Sequence, residues 1–71
     1  MSIRNQNWRE VVKALGKLGF VVKRRSGGHI IMEHLDGRWT VVPRHDPIKL
    51  GTMKSILEDV GISDQEFLEL T

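Results

Sequence analysis

The sequence predicts a small α+β domain, a two-layer sandwich in which helices cover one face of a three-stranded antiparallel sheet. Three observations support this class. The length of 71 residues fits one domain, the hydrophobic period changes from helical to extended and back, and glycine-containing turns separate the extended runs. No repeat or linker divides the chain, so residues 1–71 are expected to form a single domain.

Residues 7–18 have the pattern of an amphipathic helix. Asn7 and Glu10 have the spacing of a capping box, in which Asn7 accepts from the backbone N–H three residues on and Glu10 reaches back. Apolar residues then recur at helical spacing, and Gly19 stands where a left-handed residue typically ends a helix. The lead 1–6 is polar without periodicity and is expected to be loose.

Extended runs follow this helix and predict an antiparallel meander. A turn at 26–28 contains two glycines, and an Asp-Gly pair at 36–37 is typical of a hairpin. Pro43 ends the last run, because proline cannot donate to a sheet ladder. The three predicted strands are residues 20–25, 29–34 and 39–42.

Two more helices are predicted after a polar loop at 44–50. The second follows Gly51-Thr52, is apolar on one side and is closed by Gly61, and the third spans 64–70 behind a Ser63–Glu66 capping box. Because a three-stranded sheet needs one covered face, the first two helices are expected to pack on the same side. The other face would then meet water or a partner.

The composition excludes several classes of protein. The absence of cysteine excludes disulfides, thiolate metal sites and a cysteine nucleophile. No apolar run approaches a membrane span, and the N-terminus is too polar for a secretory signal, so a cytoplasmic domain is expected. Residues 1–54 hold all 11 Lys and Arg with four acids, whereas 55–71 hold five acids and no base. A basic body indicates either a polyanion partner or an ordinary solvated surface.

The most informative candidate is His29, which follows Ser26-Gly27-Gly28 and opens the second strand. The two glycines allow another molecule's backbone to approach closely, and their amides can face an anion. His29 is expected to point away from the core, although a histidine that only bonds to its turn has the same pattern. His29, His34 and His45, together with two aspartates, are also candidate metal ligands. However, His29 and His34 are five residues apart on one strand and therefore point to opposite faces of the sheet.

Basic residues surround the glycine turn in the sequence. Lys23, Arg24 and Arg25 lead into it, and Arg44 and His45 follow the third strand. Helix one adds a stripe of positive side chains that repel one another. This repulsion is tolerated if the face binds phosphates, or if the side chains spread into solvent. The stripe consists of Arg9, Lys13 and Lys17.

These residues resemble a known family, the HicA toxins. The resemblance covers about residues 7–70 in the right order, and it lies in the helix ending at Phe20, Ser26-Gly27-Gly28-His29, the 34–37 hairpin, 42–45 and the segment 51–63. It implies a small ribonuclease of a toxin–antitoxin pair that cleaves messenger RNA, inhibited by a HicB antitoxin. It also implies a fold like the double-stranded-RNA-binding domain, α-β-β-β-α, with His29 as the catalytic histidine. Many relatives have Gly-Ser before this histidine, where Gly27-Gly28 stands here, and a more basic loop after His45.

The chemistry that this resemblance implies needs neither metal nor cofactor. RNA carries its own nucleophile, and His29 is expected to be the general base or acid. Cations stabilise charge on the phosphorus oxygens. Ser26, Gly27 and Gly28 are expected to shape the approach of the backbone, and His45 to bind RNA or carry a second proton. The residues expected to hold phosphates are Lys23, Arg24, Arg25 and Arg44.

Two other functions stay open at this level. A non-catalytic RNA-binding module would share the fold and the basic face, but it would have no particular use for a titrating group at His29. A protein-interaction domain would use the apolar residues Ile31 and Trp39 and the acidic C-terminal helix.

Overall fold

The computed structural model describes residues 2–71 and confirms the predicted class and order of elements. The three strands form one antiparallel sheet in the order β1-β2-β3. The elements are α1 (Trp8–Lys17), β1 (Val21–Ser26), β2 (His29–Glu33), β3 (Trp39–Pro43), α2 (Leu50–Val60) and α3 (Asp64–Leu70). None of the described helices is long and apolar enough to cross a membrane.

The start of α1 is capped differently from the prediction. The Asn7 side chain accepts from the N–H of Arg9 at 2.8 Å, two residues on rather than three. The Trp8 N–H donates to the Asp46 carboxylate at 2.9 Å, so a residue from the loop after β3 completes the cap. The predicted Asn7–Glu10 capping box is therefore wrong. Asn7 bonds to Arg9 and not to Glu10, and the carboxylate of Asp46, far along the chain, takes part in the cap.

The end of α1 confirms the predicted stop at Gly19. This residue has φ +98, and its N–H donates to the Gly16 carbonyl at 3.0 Å. The N–H of Phe20 donates to the Leu15 carbonyl at 3.1 Å, which completes a Schellman motif. The chain thus leaves α1 at a defined angle and enters β1.

One face of the sheet is buried under the helices, as predicted. Ile30 and Met32 of β2 and Thr40 and Val42 of β3 are buried and alternate with more exposed residues. Both α1 and α2 contact β3. Strand β1 is exposed along its whole length, so the helical layer covers mainly β2 and β3. The core residues contributed by the helices include Val11, Leu15, Met53, Ile56, Leu57, Val60 and Phe67.

Residues 2–6 of the N-terminal lead are ordered, which contradicts the expectation that they are loose, and Met1 lies outside the described residues. Ile3 is 3% exposed and belongs to the core. Gln6 pairs with Ile48, whose N–H donates to the Gln6 carbonyl at 2.9 Å. This single antiparallel bridge attaches the lead to the loop that precedes α2. That helix begins at Leu50, before the predicted Gly51-Thr52.

Candidate nucleic-acid interface

His29 lies at the open end of the sheet, at the first position of β2. Ser26 pairs directly opposite it, so Gly27 and Gly28 form a two-residue loop between the strands. The imidazole is exposed, and no hydrogen bond to it is found within residues 2–71. An exposed and unpartnered imidazole is free to bind a ligand and to exchange protons with it.

The glycine loop leaves open space beside this ring. A Cβ atom built on Gly27 or Gly28 would have no atom within 4 Å, so the glycines are not required by packing against the protein. Gly27 has φ +58, which a residue with a side chain adopts only at a cost. The loop therefore combines a left-handed turn with room for another molecule.

Arg44 lies beside this loop because the sheet ladder continues past the end of β3. Its N–H donates to the Gly28 carbonyl at 2.6 Å. Its guanidinium lies 5.3 Å from the ring centroid of Trp8, and the guanidinium of Arg9 lies 4.6 Å from the same centroid. Trp8 thus holds the guanidinium groups of Arg44 and Arg9 together at the start of α1. From the sequence Trp8 is expected only as part of a helix start, and no local signal links it to Arg44.

Arg24 shares the open face of the sheet with His29. Directly paired residues point to the same side of a sheet, and Ser26 pairs with His29 while Arg24 pairs with Ile31. Arg25 pairs with a residue of the buried face and so projects to the other side, although it is exposed. The basic run before the glycine loop therefore places cations on both sides of the edge strand.

Two other basic side chains are engaged away from His29. The Lys23 ammonium lies 2.9 Å from the Glu33 carboxylate, which offsets its charge. Glu33 is four residues from His29 along β2, roughly 13 Å at the rise of a strand. The Lys17 ammonium donates to the Leu70 carbonyl at 2.6 Å. The basic stripe of α1 therefore does not form one free surface. Lys17 bonds to Leu70, whereas Arg9 stacks on Trp8.

His45 lies in the loop after β3 and is exposed. Its Nδ1 donates to the Pro47 carbonyl at 3.1 Å, since a carbonyl oxygen only accepts. The next residue, Asp46, bonds to the Trp8 N–H and to the Asn7 amide at 3.3 Å. These bonds attach the loop to the start of α1 and hold His45 on the same end of the molecule as the glycine loop.

His34 has a structural environment at the other end of β2. Its Nε2 donates to the Leu18 carbonyl at 3.1 Å, and its ring meets Phe20 edge-on with centroids 5.1 Å apart. Its Nδ1 lies 3.1 Å from the Asp36 N–H. The ring therefore joins the end of α1 to the turn between β2 and β3. Within residues 2–71, no three His, Asp or Glu side chains cluster as metal ligands.

Arg38 completes this second turn. Hydrogen bonds from its side chain and then from its backbone lower the pKa of Asp36 from 3.8 to about 2, and the Asp36 carboxylate raises the pKa of Arg38 in return. The guanidinium also donates to the Val60 carbonyl at the end of α2 and lies 5.2 Å from the Phe20 centroid. The turn is thus bonded to both long helices.

These features define a small basic α+β domain with one accessible histidine behind a glycine turn. A comparison with protein-family models identifies the family: the model described as HicA toxin of bacterial toxin–antitoxin matches residues 8–62, and the chain belongs to this family. No curated protein matches the chain. Membership identifies the protein as the toxin of a toxin–antitoxin system, which implies an antitoxin partner.

Proposed function

We propose that this toxin is an endoribonuclease that cleaves messenger RNA by histidine-dependent chemistry without a metal ion. The observation that carries the proposal is the exposed imidazole of His29, which has no partner within residues 2–71 and stands beside a side-chain-free loop. Arg24 shares the face of the sheet with His29, and the backbone of Arg44 is bonded to the Gly28 carbonyl while its guanidinium stacks on Trp8. A titrating group and a cation next to open space are what the cleavage of a phosphodiester requires.

The reaction uses the 2′-hydroxyl of the RNA itself. The 2′ oxygen attacks the adjacent phosphorus, the bond to the 5′ oxygen breaks, and the products are a 2′,3′-cyclic phosphate and a 5′-hydroxyl. His29 takes the proton of the 2′-hydroxyl or gives a proton to the leaving 5′ oxygen. Because no side chain among residues 2–71 is hydrogen-bonded to the ring, the bound RNA has to position it, and slow turnover is expected.

The surrounding residues are assigned to binding. Ser26, Gly27 and Gly28 let the ribose-phosphate backbone approach the ring. Arg24 and Arg44 flank the loop and bind phosphates, while Arg25 binds the strand from the other side of the edge. The two remaining members of the proposed RNA surface are Lys23, whose charge Glu33 offsets, and His45, which binds RNA or carries a second proton.

The partner that we propose is a HicB-type antitoxin acting in the cytoplasm. An inhibitor of the proposed enzyme has to cover the end of the sheet that carries His29. The positive side chains there favour an acidic surface on the antitoxin, which would associate fast and in a salt-sensitive way. Trp39, which is 58% exposed on the open face, offers an apolar contact to the same partner.

The alternative is a non-catalytic RNA-binding module. The observation that favours it is that no second proton-transferring side chain is hydrogen-bonded to His29 within residues 2–71. Both functions predict RNA binding, and they differ in whether a strand is cut.

The experiment compares wild-type, His29→Ala and His45→Ala chains on labelled RNA in the presence of EDTA. Wild type is expected to cut, and His29→Ala to lose about 10²–10⁴-fold in rate, the usual contribution of a general acid or base. Circular dichroism checks that the variants are folded. Unchanged cleavage by His29→Ala removes this residue from the mechanism, and binding without cleavage by wild type establishes the binding module. A loss with His45→Ala as large as that with His29→Ala, measured at saturating RNA, makes His45 the second proton carrier, whereas a loss only in RNA affinity makes it a binding residue.

A further inference from the structure

A pocket of about 390 Å³ opens beside the loop that precedes α2. Three of its lining residues are basic, namely Arg4, His45 and Lys49, and none of the described residues that line it is acidic. The three side chains come from separate parts of the chain, so no local sequence pattern predicts the cluster. Arg4 also lies outside residues 8–62, the segment that matches the family model.

The pocket is built by the ordered N-terminal lead. Ile3 anchors the lead in the core, and Gln6 pairs with Ile48 in the wall of the pocket. Between them Asn5 adopts φ 57, a left-handed conformation that asparagine tolerates better than most residues. This turn brings Arg4 into the same pocket as Lys49.

The basic side chains of the pocket form no salt bridge within residues 2–71. Arg4 and Lys49 take part in none of the ion pairs found there. The Nδ1 of His45 is bonded to Pro47, which leaves Nε2 for a ligand. Like charges held around one small space repel each other, and an anion that enters the space relieves the repulsion.

The pocket is close to the proposed catalytic histidine. Pro43 pairs directly with His29, and His45 is two residues further along the chain. A strand pair is about 5 Å wide and two extended residues span at most about 7 Å, so the Cα atoms of His45 and His29 lie within roughly 12 Å. One ribonucleotide strand can reach both places.

We propose that this pocket is a second phosphate-binding subsite for the RNA strand, in which Arg4 and Lys49 hold one backbone phosphate away from the bond that is cut. The proposal deepens the proposed function and rests on it. A small cationic pocket suits a compact anion such as phosphate, whereas a protein partner would be expected to need a larger apolar area.

The test measures binding of a fluorescent single-stranded 2′-O-methyl RNA by anisotropy at several salt concentrations. This RNA lacks the attacking hydroxyl and is not cut, so binding is measured independently of cleavage. The chains are wild type, Arg4→Gln, Lys49→Gln, the double variant and Lys54→Gln. Lys54 is the matched control, because it is an exposed cation of α2 that does not line the pocket.

The expected result is a flatter salt dependence for Arg4→Gln and for Lys49→Gln, with the slope of log K against log salt reduced by up to about 0.7 for one lost phosphate contact. Lys54→Gln should keep the wild-type slope. Because Arg4 and Lys49 share one phosphate, the double variant should lose less affinity than the product of the two single losses.

Two results would overturn the subsite, and they are distinguishable from failure of the proposed function. If wild type binds and Arg4→Gln behaves like Lys54→Gln, the pocket holds no phosphate, although the enzyme proposal stands. If the two losses multiply, the cations act separately rather than on one phosphate. If wild type does not bind the RNA at all, the proposed function fails together with the subsite.

Discussion

The two ends of strand β2 carry the same type of residue in opposite environments. His29 at the glycine loop is exposed and has no hydrogen bond to its ring within residues 2–71. His34 at the other end bonds to the Leu18 carbonyl and the Asp36 N–H, and it packs edge-on against Phe20. A histidine whose nitrogens are both engaged supports the fold, whereas one with free nitrogens is available for chemistry.

The turns beside these histidines differ in the same way. At the His34 end, Gly19 is so close that a Cβ there would lie 3.0 Å from the His34 Nε2. At the His29 end, a Cβ on Gly27 or Gly28 meets nothing within 4 Å. Glycine is used for close packing inside the protein at one end, and it leaves room for another molecule at the other.

The largest stability difference is expected between the two histidine-to-alanine variants. His34→Ala should lower the free energy of unfolding by about 2–3 kcal/mol, because it leaves the Leu18 carbonyl without its partner and removes the contact with Phe20. His29→Ala should change it by less than about 0.5 kcal/mol, as is usual for an exposed side chain. Urea unfolding measures both. Equal losses would contradict the distinction between a structural and a functional end.

Gly19→Ala is expected to cost about 1–2 kcal/mol. Its φ of +98 strains any residue with a side chain, and the added Cβ meets a His34 ring that is held by hydrogen bonds. Gly16→Ala is the matched control, because it lies inside the helix that Gly19 ends and has open space around its Cβ, and it should stabilise by up to about 1 kcal/mol. If the two variants have the same thermal midpoint, the packing of Gly19 against His34 is unimportant.

The smallest expected effect is on acid stability. The pKa of Asp36 is lowered to about 2 in the folded chain, so the pair with Arg38 stabilises the protein above the ordinary pKa of 3.8 and is lost as the pH falls towards 2. Asp36→Asn should therefore show a shallower loss of stability between about pH 4 and pH 2 than wild type. Because the carboxylate is exposed, salt should reduce the difference. Parallel acid titrations of wild type and variant at low and high salt measure this.

Local features were predicted from the sequence with the correct residues. The Ser63–Glu66 capping box forms as expected, with bonds of 3.0 and 3.1 Å, and Gly19 and Gly61 end their helices in left-handed conformations. The position of His29 behind two glycines and away from the core was also predicted. Each of these depends on residues within a few positions of one another, whose spacing is visible in the sequence.

Contacts between distant segments were not predicted. Asp46 caps a helix that begins 38 residues earlier, and the Arg44 guanidinium stacks on Trp8 at the start of that helix. The polar lead was expected to be loose, yet a single apolar residue, Ile3, anchors it and brings Arg4 to the pocket. A polar segment carries little periodic signal, so its docking cannot be inferred before the surface that receives it is known.

The amino-acid sequence alone was enough to establish the succession of helices and strands, the turns and the one histidine placed behind a pair of glycines. Those properties follow from backbone preferences and from hydrogen bonds between near neighbours in the chain. The packed fold decided three further properties. It determined which histidine has hydrogen-bond partners, which cations are neutralised by acids, and which cations converge on a pocket. The physical reason is that burial of the apolar faces brings remote segments together, and the charges they carry then interact across distances of a few ångströms.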